Sequence, residues 1–322
     1  MQRKIICFII FQLSLMGCSV NDKDAISPSG LSEWKFFTKS KNGLAGNLIT
    51  TLFTDSKGNV WIGTTTGLSK YDGSTFTTYT EATGALPDNW VLTIVENKAG
   101  QIIVGTINGV SYLTGAQWRE NQLFSGIRVN ALTATNNGDF WAGTSGYGPV
   151  QIHSNGDFDQ HYDDGCENCN IVESLFENSD GTVWIGSDAD LKSFKDGTFK
   201  SYSSLSGALV SSIASDHWGN VWFGLDDSPV MLRYDGINFK EFPLVDIFSS
   251  HNRGMSILED RNGLLWIAAD YGGLIYFDGA VGRQVFDVFS NNPITALTID
   301  KNGFLWVGTE GTGVVRHFPI PN

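Results

Sequence analysis

Ten side chains carry the chemistry that this sequence offers: Trp90, Arg128, Tyr147, Asp188, Asp226, His251, Arg253, Asp270, Tyr271 and Glu310. Aromatic rings stack on the faces of sugars, while carboxylates and guanidinium groups hydrogen-bond hydroxyls. Together they suit a polar ligand such as an oligosaccharide, or a protein partner. Several converging oxygens could also hold Ca²⁺. Asp188-x-Asp190 lacks the rest of a calcium loop, so no metal or cofactor is expected and Ca²⁺ stays an alternative. Catalysis is the weaker expectation. The five histidines are His153, His161, His217, His251 and His317, and only His251 and His161 are candidates to face such a site. His153 and His317 fall in third strands and His217 in a turn. No G-x-S-x-G, H-E-x-x-H or phosphate loop is present.

These residues stand out because they interrupt a repeat. The string G-x-x-W-x-G recurs around Trp61, Trp141, Trp184, Trp222, Trp266 and Trp306, with Ala268 in the second glycine's place after Trp266 and Ile103 in the tryptophan's place once, at a spacing of about 40 residues. Such a period means an array of like supersecondary units. The turn glycines are Gly58, Gly100, Gly138, Gly181, Gly219, Gly263 and Gly303. Apolar residues six and nine positions earlier mark an inner strand. Three positions earlier stands Asp or Asn in every unit but one, where it is Thr135. That is turn chemistry, a short polar side chain binding the turn backbone. A third strand ends in Asp72-Gly73, Asn155-Gly156, Asp196-Gly197, Asp235-Gly236 or Asp278-Gly279. These are hairpin signals whose turn type asks for positive φ at both residues. A fourth strand carries aromatics three apart, as in Phe76/Tyr79 and Phe199/Tyr202. Asn47, Asn89, Asn170, Asn252 and Asn292 recur ahead of the inner strand, where they are expected to cap it.

Four antiparallel strands in seven units predict an all-β, seven-bladed β-propeller over residues 31–322. The last unit lacks its fourth strand. Trp34-Lys35-Phe36-Phe37 has the right aromatic spacing to supply it and close the ring. The loop after strand two and the loop entering strand one then share the face around the channel mouth. The ten residues above lie in those loops. The second unit, without its tryptophan, is expected to be the loosest.

The chain's start is expected to be a lipoprotein signal, residues 1–17. Arg3 and Lys4 precede an apolar run, and Leu15-Met16-Gly17-Cys18 resembles a bacterial lipobox with Cys18 as the lipidated residue. Residues 18–30 read as a flexible tether, acidic at Asp22 and Asp24 and similar to the export signal of surface lipoproteins in the Bacteroidetes. Several acyl chains at about 0.8 kcal/mol per buried methylene make a stable anchor. The expected location is the outer membrane, at the cell surface or otherwise facing the periplasm, with the lipid as the only membrane contact. The formal net charge of −13 becomes −15 once Arg3 and Lys4 leave. That balance argues against a nucleic-acid partner, which needs clustered Lys and Arg. Cys166 and Cys169 remain, and an oxidising compartment favours a disulfide between them. A redox pair would need a helix N-terminus, and a metal would need a second Cys/His pair.

The repeat Asn-x-(Val/Ile)-x-x-(Leu/Ile)-x-x-Asp-x-x-Gly-x-x-Trp-x-Gly-Thr-x-x-Gly-(Leu/Val), clearest in Asn47–Leu68 and Pro293–Val314, resembles the two-component regulator propeller family. The resemblance covers residues 31–318 or so. It implies the sensor half of a membrane histidine kinase, with oligosaccharide sensing or protein contact. No transmembrane helix, kinase or receiver domain is legible in these residues, so the expectation narrows to a ligand-binding module or an assembly partner. Streptogramin lyases are also seven-bladed propellers, which makes a lyase the enzymatic alternative; a pure interaction scaffold is the third reading.

Overall fold

The computed structural model describes residues 34–162, 170–202, 208–226, 228, 230–243, 256–269, 273–279, 282–285 and 292–317. They form seven four-stranded antiparallel sheets arranged as blades of a β-propeller. Blade one runs from Ile49 to Tyr79, blade two from Val91 to Asn121 and blade three from Val129 to Gln160. Blade four spans Val172–Ser201, blade five Val210–Pro243 and blade six Ser256–Val285. Blade seven holds Ile294–Ile299, Leu305–Thr309 and Val314–His317, and its outer strand is Trp34–Phe37, β1. The register pairs Trp34 with His317 and Phe37 with Val314, so the chain's two ends close the ring as the sequence predicts. Closure leaves no open edge between the last blade and the first.

Each tryptophan is a wedge into the following blade. Trp61 packs with Val91, Ile94 and Val104 of blade two, and Trp141 with Val172, Leu175 and Ile185 of blade four. Trp306 reaches Ile49, Leu52 and Ile62 of blade one. An aromatic buries about 150–250 Å², worth roughly 4–6 kcal/mol gross at ~25 cal/mol per Å². The fourth strand clamps the wedge from its own blade. Tyr79 stacks on Trp61 at 5.9 Å, Tyr202 on Trp184 at 5.2 Å and Phe37 on Trp306 at 5.2 Å. The expected pair Phe286/Phe289 lies outside the described residues.

The turn aspartate does more than the turn requires. Asp55 Oδ1 accepts the Asn59 backbone N–H at 2.7 Å, and its Oδ2 accepts the Trp61 indole N–H at 2.8 Å. Asp216, Asp260 and Asp300 take the indoles of Trp222, Trp266 and Trp306, each at 2.9 Å. Two residues beyond each tryptophan except Trp266, where Ala268 stands, a glycine makes room for the next inner strand. A Cβ on Gly63 would lie 2.8 Å from Val91 Cγ1 and 2.5 Å from Thr51 Cγ2.

Three sequence expectations change. Of the described Asp–Gly and Asn–Gly turns, only Asp196 has positive φ (49°) alongside its glycine. Elsewhere the polar side chain supports the turn instead, as where Asp72 Oδ1 accepts both Ser74 and Thr75 N–H at 2.8 Å. Those bonds hold the Asp72 carboxyl well below the usual carboxylate range. The recurrent asparagine is a tie between chain segments more than a strand cap. Asn47 Oδ1 accepts Lys39 N–H at 2.7 Å, while its carbonyl accepts Gly311 and Gly313 N–H from blade seven. The second blade is not loose at its missing tryptophan: Ile103 is 0% exposed, with Phe124, Tyr112 and Leu123 packed in the same cluster. Burial pushes the Tyr112 phenol up to about 12.

Phe37→Ala should cost about 3–5 kcal/mol, and deletion of Ser32–Thr38 more. A melting temperature within about 2 °C of wild type for the deletion would show that the ring closes without it. Asp216→Ala strips the acceptor from Trp222 Nε1 and from the Trp218 and Asn220 N–H groups. It should lower urea-unfolding stability by roughly 3 kcal/mol, the scale of lost bonds to a buried charged acceptor; a change under about 0.5 kcal/mol would rule out this role.

Candidate functional site

One face of the ring gathers the loop after strand two and the loop entering strand one. There the backbone pairs one residue of each loop per blade. Thr65 N–H donates to Leu48 O, Ile107 to Trp90, Ser145 to Arg128, Asp188 to Ile171, Asp226 to Leu209 and Glu310 to Pro293, all at 2.9–3.3 Å. Trp90 and Arg128 therefore stand at the accepting rim position, and Asp188, Asp226 and Glu310 at the donating one. Below the rim, the inner strands slip register by one residue. The shift falls at Thr50, Leu92, Asn130, Glu173, Ser211 and Thr295. A bulge of this kind re-aims a side chain.

Rim and bulge residues enclose a cavity of about 430 Å³ at the channel mouth. Leu48, Trp90 and Leu92 give it apolar lining and Arg128, Asn130, Glu173 and Glu310 polar lining, with Glu310 beside Leu48 where blade seven meets blade one. Trp90 is 42% exposed. Arg128 Nε donates to Asn130 Oδ1 at 2.7 Å, and Asn130 Nδ2 donates to Glu173 Oε1 at 3.2 Å and to Val172 O at 3.1 Å. The chain of bonds fixes Glu173 inside the mouth. Burial raises the Glu173 carboxyl above its ordinary range, Asp188 and Asp226 push it further, and Arg128 opposes them. Burial and Asp226 raise Asp188 as well. The blade-four side of the mouth is thus a region of crowded negative charge.

Tyr147 sits apart. It is exposed on its loop, does not line the cavity, and its carbonyl accepts Gln160 Nε2 at 3.2 Å. Asp190 turns away to Ser187 Oγ at 2.7 Å and Lys192 at 3.4 Å. His251, Arg253, Asp270, Tyr271, Cys18, Cys166 and Cys169 lie outside the described residues. Among the described residues no three His, Cys, Asp or Glu side chains cluster as metal ligands would. His161 does not face the mouth. It stacks on Trp141 at 5.3 Å and 20°, filling the fourth-strand aromatic position, and burial lowers its pKa. His153 follows the third strand of blade three and bridges Asp139 and Asp159, each at 3.0 Å. His217 bonds Glu259 at 2.6 Å across to blade six.

Glu173 and Asn130 escaped the sequence reading. Their signal was the position eight before the turn glycine, variable in type between two constant apolar positions. Only the bulge reveals that this position turns inward.

The fold and mouth define a seven-bladed propeller with a polar, lopsided channel entrance. Within it, residues 43–66 and 289–311 match the model for the two component regulator propeller, so the chain carries repeats of that type at both sides of the ring closure. Solved structures share the architecture. The extracellular domain of the one component system BT4673 from B. thetaiotaomicron superposes with TM-score 0.73 at 20% identity, over 88% of this chain and 40% of that one. The extracellular domain of the hybrid two component system BT3049 from the same organism gives 0.72 at 20%, over 89% and 42%. This chain spans about two fifths of their length. Virginiamycin B lyase from Staphylococcus aureus gives 0.71 at 15% identity, over 89% of this chain and 100% of that one. At these identities the likeness speaks for the fold. No curated protein is a detectable sequence relative of this chain.

Glu173 is held against an unfavourable field. A carboxyl with a raised folded pKa favours folding below its unfolded pKa and loses that contribution as pH climbs through the folded value. At neutral pH its ionised form therefore works against the fold. Glu173→Gln should raise the melting temperature at pH 7, and the gain should vanish near pH 4. An equal gain at both pH values would remove the charge argument.

Proposed function

We infer that this chain is a non-catalytic binding propeller that takes a polar ligand of the oligosaccharide class at the channel mouth. The carrying observation is the cavity itself, which gathers Trp90 and Leu92 of blade two, Arg128 and Asn130 of blade three and Glu173 of blade four. An aromatic face, a guanidinium and carboxylates are what a sugar's ring and hydroxyls recognise. The volume falls in the usual range of small-ligand sites, about 300–1,000 Å³. Neighbouring folds that are extracellular sensor domains of regulators support a recognition role and export. We read the leader as a lipoprotein signal, with Cys18 as the anchor and the outer membrane as the location. The module needs no cofactor, and its signal would pass to a membrane-associated partner. The lyase reading rests on the shared architecture alone.

The test pairs immobilised-glycan binding with fractionation. Wild type should bind a subset of glycans, and a Trp90→Ala/Arg128→Ala variant should bind at least about tenfold more weakly, the scale of one lost charged hydrogen bond. Equal binding by both would remove the mouth as the site. Binding to no glycan, with membrane proteins co-purifying, would favour the scaffold. Turnover of a virginiamycin-type lactone would favour the lyase. Cys18→Ala should leave the membrane fraction; retention there would overturn the anchor.

A further inference from the structure

Blade four breaks the turn rule kept by blades one, five, six and seven. Where they place the aspartate that accepts the indole N–H, blade four has Asn178, whose Oδ1 accepts the Ser179 backbone N–H at 2.9 Å. Asp180 takes over the turn. It accepts Thr182 N–H at 3.0 Å and Lys195 Nζ at 2.8 Å. Trp184 is 2% exposed, and no hydrogen bond among the described residues reaches its Nε1. A buried donor left unpaired destabilises the fold.

The same tryptophan lines a groove of about 330 Å³ between blades four and five, on the face opposite the channel mouth. Tyr202 stacks on its indole at 5.2 Å and Tyr234 meets it edge-on at 5.3 Å. Lys195 and Lys200 line the groove, and the Lys200 ammonium lies 4.8 Å from the centre of the Tyr202 ring. Gly219 and Gly236 form part of the blade-five wall. The residues next to them in the chain, Trp218 and Ile237, are 69% and 82% exposed. Asp180 lines the groove too and pairs with Lys195 at 2.8 Å, so the Lys195 ammonium is shared. An unpaired donor, the Lys200 ammonium beside that pair, aromatic walls and exposed apolar side chains nearby complement a carboxylate on an apolar body.

We propose that this groove is a second binding site, for a carboxylate-bearing ligand with an apolar body, whose oxygen takes the place of the missing aspartate on Trp184. The carboxylate enters beside Asn178, between Lys195 and Lys200. The site is independent of the channel mouth, and either can fail without the other.

Indole N–H resonances of the ¹⁵N-labelled propeller report on it directly, because hydrogen bonding moves an indole proton downfield. The probes are 3-phenylpropionate and the blocked peptide acetyl-Leu-Asp-Leu-amide. The Trp184 resonance, assigned with Trp184→Phe, should start upfield of those of Trp61, Trp222 and Trp306 and move downfield, saturably, with at least one probe. A response to the acid identifies a small carboxylic acid; a response to the peptide alone identifies an acidic side chain. Asn178→Asp supplies an internal carboxylate and restores the residue the other blades use. It should raise the melting temperature and weaken probe binding at least about tenfold. A Trp184 resonance already downfield without probe, no movement with either probe, or unweakened binding by Asn178→Asp would each overturn the proposal.

Discussion

A buried indole N–H calls for an acceptor, and in blades one, five, six and seven the acceptor is the carboxylate that also caps the preceding turn. Asp55, Asp216 and Asp300 are nearly inaccessible, and each joins its turn backbone to a tryptophan six residues on. Turn shape, tryptophan orientation and the contact with the next blade are therefore one coupled unit. Losing the carboxylate would leave several buried donors unmet at once, which is costlier than losing any single contact. The wedge it orients then covers the next blade's inner strand, and the glycine after it admits that strand closely. Gly143 against Val172 and Gly308 against Ile49 repeat the arrangement, with Cβ separations of 2.6 Å that no side chain could occupy.

With the wall of the channel so constrained, variation is confined to its upper end. The bulge residue is outside the regular ladder, so its identity does not affect pairing. Blade one places Thr50 there, with its hydroxyl on Val91 O at 2.6 Å, which is a structural use. Blade four places Glu173 there, among other acids. The same blade lacks the turn aspartate. Blade three lacks it too, and Asp139 compensates by gathering Gln151, His153 and Ser154. The departures from the repeat thus gather in neighbouring blades, at the turn end and at the mouth end alike. Two unfavourable features in one blade fit a segment selected for recognition more than for packing.

The period near 40 made the architecture legible, because the tryptophan and its glycines are structural and recur. Ring closure was legible for the same reason: Phe37 does for Trp306 what Tyr79 does for Trp61. The rim was legible as a set of loop positions. The bulge was not, since a slip of one residue leaves no mark in a single sequence. His161 misled because histidine suggests chemistry, while the register assigns it the ring position that Tyr202 fills one blade later. The second blade misled because Ile103 is enclosed in one cluster with Phe124, of the 3₁₀ turn Gln122–Phe124, which stands five residues before Val129 where Leu86 stands before Val91. The Asp–Gly turns misled because a side-chain acceptor can stabilise the turn without positive φ at the aspartate.

The shared architecture of sensor domains and a lyase leaves the mouth to decide between recognition and catalysis. Acid–base catalysis works by driving two groups' proton affinities apart, one toward donor and one toward acceptor. Here burial raises Glu173 and Asp188 alike, Asp226 adds to both, and Asp188 adds to Glu173. Arg128 and Asn130 restrain Glu173 by a fixed chain of hydrogen bonds, which suits a group that must present oxygens at a set place. Trp90 lines the same cavity from blade two, exposed enough to receive a ring face. Our recognition reading rests on this arrangement, in which Glu173 and Trp90 line one cavity, and in that reading the acidic part of the mouth selects against anionic ligands.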